Sequence, residues 1–373
     1  MQFQTNLKKY LKKRAEKNWV FEKLPSKNNY DFIIIIPAKA EQKHLPFLIE
    51  SISKQNKDYL KNCLVVIVVN SSIEDSKEII DNNNQTIEYL NNTLFDFELC
   101  YINANTENNA LPIKKAGVGL ARKIGADLAI KYSNPLSILC YTDADVILSE
   151  NYLQIIAKYY SKYNCGCAIV NFKHQKHSDE IINNNIRKYE RFLFKTAQDL
   201  KNSGSPYGYV TLGSCITCTS SAYISVGGMN KMKATEDFYF LQDLTKHFGN
   251  MNSINNKIVY PSSRISTRVY LGTGYRMKTI IEGEKIDNLY FSKQSFKDLK
   301  QFLLIIKESY ELSINQLLDK TKDIPKLNSF LEREGIYDVW DSLINNVDYK
   351  KFTSQFHRWF DGLKTIKFLK YFS

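Results

Sequence analysis

Two carboxylates two positions apart, Asp143 and Asp145, follow the apolar run Leu136–Cys140. Alternate side chains of an extended segment point the same way, so both can reach one hard cation. Oxygen donors of this kind suit Mn2+ or Mg2+, with substrate phosphates filling other positions. The competing account is a turn with solvated aspartates; the placement after a buried strand favours the metal. A second acidic pair, Glu236-Asp237, follows Thr235 and the Gly227-Gly228 pair. Thr235 can cap a helix whose first turn favours acids. Alternatively, a carboxylate here faces the metal and takes a proton from an attacking hydroxyl. Gly213-Ser214 reads either as a turn or as backbone lining a substrate pocket. Arg264 and Arg268, four apart before Gly272-Thr273-Gly274, suit a diphosphate or sit as surface charges.

Other motifs lead away from familiar chemistries. Cys165-x-Cys167 and Cys215-x-x-Cys218 could supply four thiolates. They lie beside strand and small-residue stretches, where buried free thiols are common. His174 and His177 bracket Gln175-Lys176 after a strand and read as part of a solvated loop, with a ligand pair as the alternative. Gly117-x-Gly119-x-x-Arg122 falls on a helix rather than after a strand, so it is not a dinucleotide fingerprint. No Gly-x-x-x-x-Gly-Lys-Ser/Thr and no Gly-x-Ser-x-Gly occurs.

The elements that position these residues alternate. Phe32–Ile36, Leu64–Val69, Glu98–Asn103, Leu136–Tyr141 and Cys167–Phe172 read as strands. The spacing predicts helices over 45–54, 74–90, 114–131 and 151–163. Strands separated by helices of this length predict an α/β fold with a mostly parallel, Rossmann-type sheet flanked by helices. Ligands then bind beyond the carboxyl ends of the strands. Residues 204–275 carry glycine and serine clusters. From about 278 the pattern turns to amphipathic helices, so the expected domains are a basic segment 1–27, a catalytic domain 28–277 and a helical appendage 278–373. Asn82-Asn83-Asn84 and Asn183-Asn184-Asn185 read as surface loops.

Composition bounds the rest. The 373 residues are 43% hydrophobic and 24% charged, which excludes a disordered chain and a small disulfide scaffold. Lysine and arginine number 51 against 39 acids, a formal charge of +12 that favours anionic partners. The basic residues are dispersed, which argues against nucleic acid. Seven cysteines, an odd number, point to a reducing, cytoplasmic setting. No apolar run approaches the ~20 residues of a membrane span. Two stretches invite peripheral contact with the cytosolic membrane face: residues 1–27, and 349–373 with Phe352, Phe356, Trp359, Phe360 and Phe368 among lysines. The competing account packs both onto the protein.

In order, Ile35-Ile36-Pro37-Ala38-Lys39-Ala40-Glu41, Gly117–Asp127, Tyr141-Thr142-Asp143-Ala144-Asp145, Gly213-Ser214, Gly227-Gly228 and Thr235-Glu236-Asp237 resemble the family 2 nucleotide-sugar glycosyltransferases with the GT-A fold. The resemblance covers about residues 30–275. It implies a metal-dependent, inverting transfer of a sugar from a nucleotide-diphosphate donor, UDP-linked first, to a saccharide or lipid-linked hydroxyl. It puts Pro37, Ala38, Glu41 and Asn70 along the nucleoside. Asp143 and Asp145 hold the diphosphate through Mn2+ or Mg2+, Arg264 or Arg268 adds positive charge there, and Arg122 binds the donor. Gly213 and Ser214 line the acceptor, and Asp237 or Glu236 serves as base. The chain departs from the family at Lys39-Ala40, where an aromatic and Asn are usual, and at Asn70-Ser71, where two Asp are usual. The alternatives are a nucleotidyltransferase of related α/β architecture and a basic membrane- or nucleic-acid-binding module.

Overall fold

The computed structural model describes residues 2–106, 108–266, 272–345 and 347–373. Arg268 lies outside the described residues.

The chain divides into two compact units. The first comprises residues 1–187, 211–244 and 252–282. It holds an eight-stranded sheet in the order β3-β2-β1-β4-β7-β6-β8-β5. The strands are β1 Tyr30–Ala38, β2 Cys63–Asn70, β3 Glu98–Ala104, β4 Ser133–Tyr141, β5 Ile147–Leu148, β6 Cys167–Phe172, β7 Ile216–Thr219 and β8 Asn252–Tyr260. The β3-β2-β1-β4 half is parallel throughout, with Ile33 beside both Leu64 and Leu139. Every residue of β2 and all but Asp31 of β1 are buried. Continuous β-branched runs suit strands covered on both faces. The other half mixes directions: β7 is antiparallel to β4 and β6, and β5 to β8, while β6 and β8 run parallel.

Helices α1 Gln2–Lys13, α2 Leu45–Ser53, α3 Lys57–Leu60, α4 Lys77–Asn92, α5 Val118–Ala129 and α6 Tyr152–Tyr163 belong to this unit. So do α8 Ser220–Ser225 and α10 Thr273–Ile281, and the first residues of α7 Glu180–Asn202 and α9 Glu236–Phe248. Every residue from Gly119 to Ala129 in α5 is buried. Gly125 makes this close packing feasible, because a Cβ there would meet Ile35 at 2.9 Å and Val68 at 3.1 Å.

The second unit comprises residues 188–210, 245–251 and 283–373. Helices α11 Lys293–Lys307, α12 Ile314–Thr321, α13 Leu327–Arg333, α14 Ile336–Ile344, α15 Tyr349–Trp359 and α16 Gly362–Phe372 enclose an aromatic core. Phe302, Phe330, Trp340, Phe352, Phe356, Phe360 and Phe368 are buried in it. Burying side chains of this size stabilises by about 2 kcal/mol each. The aromatic spacing of 349–373 is therefore that of a protein core. These rings are not available to a lipid surface.

Two other expectations change, at the asparagine runs and at His174. Asn83 and Asn183 lie in α4 and α7 rather than in surface loops, and Asn83 is fully buried. The glycine-rich stretch 204–275 contains β7, α8, α9, β8 and the start of α10. Short strands rich in Thr, Cys and Asn carry little hydrophobic alternation to betray them. His174 is buried, 1% exposed, rather than solvated, with its ring edge-on to Phe172. Among the described residues, no helix is long and apolar enough to cross a membrane.

Candidate active site

The ends of β1, β2 and β4 bring the sequence motifs together. Ile35 of β1 pairs with Tyr141 of β4, and the Thr142 amide donates to the Ile35 carbonyl at 3.1 Å. The chain then leaves the sheet, and Asp143 and Asp145 extend beyond its edge. Pro37 and Ala38 close β1 against Val68 and Val69, one residue short of Asn70. Glu41 accepts the amides of His44 and Leu45 at its carbonyl and so starts α2.

Two arginines organise the carboxylates. The Arg122 guanidinium is 3% exposed and donates to Glu236 through Nη1 and to Asp143 through Nη2. Its burial opposes the charge, but Asp143, Glu236 and Asp237 together hold its pKa above the ordinary arginine value. Gly213 is what makes the fit possible, since a Cβ there would stand 2.2 Å from Nη1. Arg264 forms the second centre. It donates to Glu41 through Nη2, and its Nε lies 2.9 Å from Asp145 Oδ2. Its Nη1 is 3.2 Å from His44 Nδ1, which in turn lies 3.0 Å from Glu41 Oε2. Asp143 links the centres through the two-residue step to Asp145.

The structure thus joins Arg122, Asp143 and Glu236 in one cluster, and Glu41, Asp145 and Arg264 in another. Pro37, Ala38 and Asn70 lie at the neighbouring strand ends, and Gly213 sits against Arg122. Ser214 is buried beside it, 1% exposed. Asp237 is half-buried at the start of α9, with its Oδ1 accepting the Phe238 amide at 2.7 Å. Thr235 does not act as the expected side-chain cap. Its hydroxyl donates to the Ala234 carbonyl, and its φ is +64°. A β-branched residue in that region is strained, a condition found where surroundings over-determine a functional backbone.

The electrostatics separate the acids. Burial pushes Asp145 up to about 6, opposed by Arg264. Burial also raises Glu236 and Asp237 above the usual carboxylate range, with Arg122 opposing in both. Of the two, Glu236 is the one ion-paired with Arg122.

Five carboxylates, Glu41, Asp143, Asp145, Glu236 and Asp237, gather around two guanidinium groups. An incoming diphosphate would add to this acidic excess. Hard carboxylate oxygens and a surplus of negative charge fit a divalent cation. The Asp143 side chain is 36% exposed, which leaves it open to one. Among the described residues no three His, Cys, Asp or Glu side chains form a ready-made metal cage. The remaining positions would fall to substrate oxygens and water, as is usual for Mg2+.

Sequence reading missed several residues that hold this site. Asn83 accepts the Ala40 amide and donates to the Asn70 carbonyl and to Asn105 Oδ1, tying the ends of β1, β2 and β3 together. Its place in an asparagine run disguised it. His44 was signalled only by its spacing from Glu41. Lys39 pairs with Asp75 at 2.7 Å across the same edge.

The profile of glycosyl transferase family 2 matches residues 33–212. No curated protein sequence matches the chain. Among solved structures, S. aureus TarS 1–349 is 12% identical with a TM-score of 0.44, covering 88% of this chain and 91% of that one. The same protein in complex with UDP-GlcNAc is 13% identical at 0.45, with the same coverage. The mannosyltransferase PcManGT from Pyrobaculum calidifontis, in complex with GDP-Man and Mn2+, is 12% identical at 0.41, covering 97% and 94%.

Proposed function

We propose that this chain, a glycosyltransferase of the GT-A type with a family 2 region at residues 33–212, moves a sugar from a nucleotide diphosphate to an acceptor hydroxyl with inversion. The observation that carries this reading is the Arg122 bridge. One guanidinium joins Asp143, beyond β4, to Glu236, beside the candidate base.

The donor diphosphate lies along Asp143-Ala144-Asp145, with its nucleoside toward Pro37, Ala38, Glu41 and Asn70. Asp143 and Asp145 would hold Mn2+ or Mg2+, which as a Lewis acid stabilises the departing diphosphate. Arg264 adds positive charge on the same side. Arg122 opposes the upward pull of burial on Glu236 and fixes the start of α9. The acceptor hydroxyl attacks the anomeric carbon from the face opposite the diphosphate, and Asp237 takes its proton. Gly213 and Ser214 form the acceptor side, and the acceptor is a saccharide or lipid-linked hydroxyl. Arg268 is a further diphosphate candidate.

A peripheral membrane contact would fall to residues 1–27 or to 349–373, where Lys350, Lys351, Lys367 and Lys370 are exposed. Lys8, Lys9, Lys12 and Lys13 of α1, and Arg14 just after it, are exposed in the first of these. An anionic surface attracts such a row.

The test is a panel of UDP-, GDP-, CDP- and dTDP-sugars with Mn2+, following nucleotide release and the anomeric proton of the product. Nucleoside diphosphate release from one donor supports the reading. Pyrophosphate release would place the chemistry among nucleotidyltransferases instead, and a retained anomeric configuration would remove inversion.

A further inference from the structure

Helix α5 carries Arg122 on one turn and a second buried charge cluster on the next. Asp127 is fully buried and receives four donors. Tyr10 and Tyr223 donate to Oδ1 at 2.5 and 2.7 Å. The Glu16 amide donates to Oδ2 at 2.8 Å, and Lys123 Nζ lies 3.0 Å from it. Lys123 also donates to the Tyr10 hydroxyl at 2.9 Å. Two of these partners, Tyr10 and Glu16, come from the N-terminal segment, more than a hundred residues away in sequence.

The seating is tight. A Cβ on Gly228 would lie 2.1 Å from the Tyr10 hydroxyl, so that glycine is the door through which the tyrosine enters. Lys231 pairs with Glu16 at 2.5 Å, which holds the 228–236 loop to the same segment. The first turn of α5 packs on that loop too. A Cβ on Gly117 would meet the Lys233 backbone at 2.5 Å, and one on Gly119 the Met232 carbonyl at 2.4 Å and Glu236 Cβ at 2.8 Å.

We propose that the N-terminal segment is a lock on α5: by closing over Asp127, Tyr10 and Glu16 position Arg122 between Asp143 and Glu236. The inner face of α1, Leu7 and Tyr10, is buried to this end, and only its outer face is basic. A rigid helix transmits a shift at Asp127 to Arg122 one and a half turns away. Arg122 has no room to absorb it, being closed by Gly213, Asp143 and Glu236. Tyr10, Glu16 and Asp127 are positioning residues, since none of them touches the carboxylates that Arg122 binds.

The kinetic test rests on the proposed transfer reaction; a second readout does not. Tyr10→Phe keeps the ring and removes only the hydroxyl. Its kcat for donor turnover should fall at least about tenfold, with a smaller change in donor KM. In an Arg122→Lys background the same change should cost nothing further, because the lock then has nothing to aim. Hydrogen exchange on the protein alone should show faster exchange at 118–126 and 230–237, beyond the freed segment 2–17. Tyr223→Phe removes the other hydroxyl donor to Asp127 Oδ1, and its ring meets that of Tyr10 edge-on at 5.7 Å, so it should loosen α5 as well. Unchanged kcat, an equal loss in both backgrounds, or exchange confined to 2–17 would each overturn the proposal. If the wild-type protein turns over no donor, the transfer reading fails, and the exchange result still decides the lock.

Discussion

Gly213 lies against the guanidinium of Arg122, so close that one added methyl group would stand 2.2 Å from Nη1. A glycine expected to line the acceptor is thereby also the wall that seats the arginine. Gly213→Ala should push Arg122 off Asp143 and Glu236. A misplacement of this order costs roughly a hundredfold in rate. The measurement is kcat for donor turnover beside a thermal melt, and full activity in a folded Gly213→Ala protein would contradict the arrangement.

Removing the guanidinium itself should cost stability. Arg122→Ala leaves Glu236, 3% exposed, without its counter-charge. Breaking a buried pair from one side destabilises by about 3–5 kcal/mol. Arg122→Ala together with Glu236→Gln should recover most of that loss in urea unfolding, while activity stays low.

The pH dependence of turnover follows from Asp237. Burial raises its pKa above the ordinary aspartate value, against the pull of Arg122. A base works deprotonated, so the rate should fall as pH drops through this raised pKa. The acid limb of kcat/KM should therefore lie above the usual aspartate range. Asp237→Asn should remove the limb together with most of the activity.

Stability should respond to acid through His357 in the helical unit. Burial holds its pKa down at about 4, from an ordinary 6.5, with Lys307 adding repulsion. Its Nδ1 is buried without a hydrogen-bond partner among the described residues. The unfolded chain binds the proton more readily, so stability is present above 6.5 and is lost as pH falls toward 4. Between pH 7 and 5 the loss is about 2 kcal/mol. Denaturant unfolding at both pH values, with His357→Gln as the control, checks this. An equal loss in the variant would assign it elsewhere.

Much of this architecture was legible. The runs Ile33–Ile36 and Leu64–Val69 announce buried parallel strands, because both faces demand apolar, β-branched residues. The Asp143–Asp145 pair was visible because it ends such a run. Within residues 204–275 the helix beginning at Glu236 was legible, but the strands were not. Strand β7 is Ile-Thr-Cys-Thr, and its neighbours supply the burial that its own sequence does not advertise. The tail misled in the opposite sense: aromatics among lysines suit a membrane surface or a small helical core equally, and only packing chooses. The lock at Asp127 was invisible for a different reason. Its partners are 117, 111 and 96 positions away, and no local pattern encodes a contact of that range.

The most direct measurement is nucleotide release from a donor panel by the wild-type protein and by Asp143→Ala/Asp145→Ala, with Mn2+ and after chelation. The account predicts nucleoside diphosphate from one donor, lost on chelation and lost in the double variant. Equal release with Asp143 and Asp145 removed would contradict it.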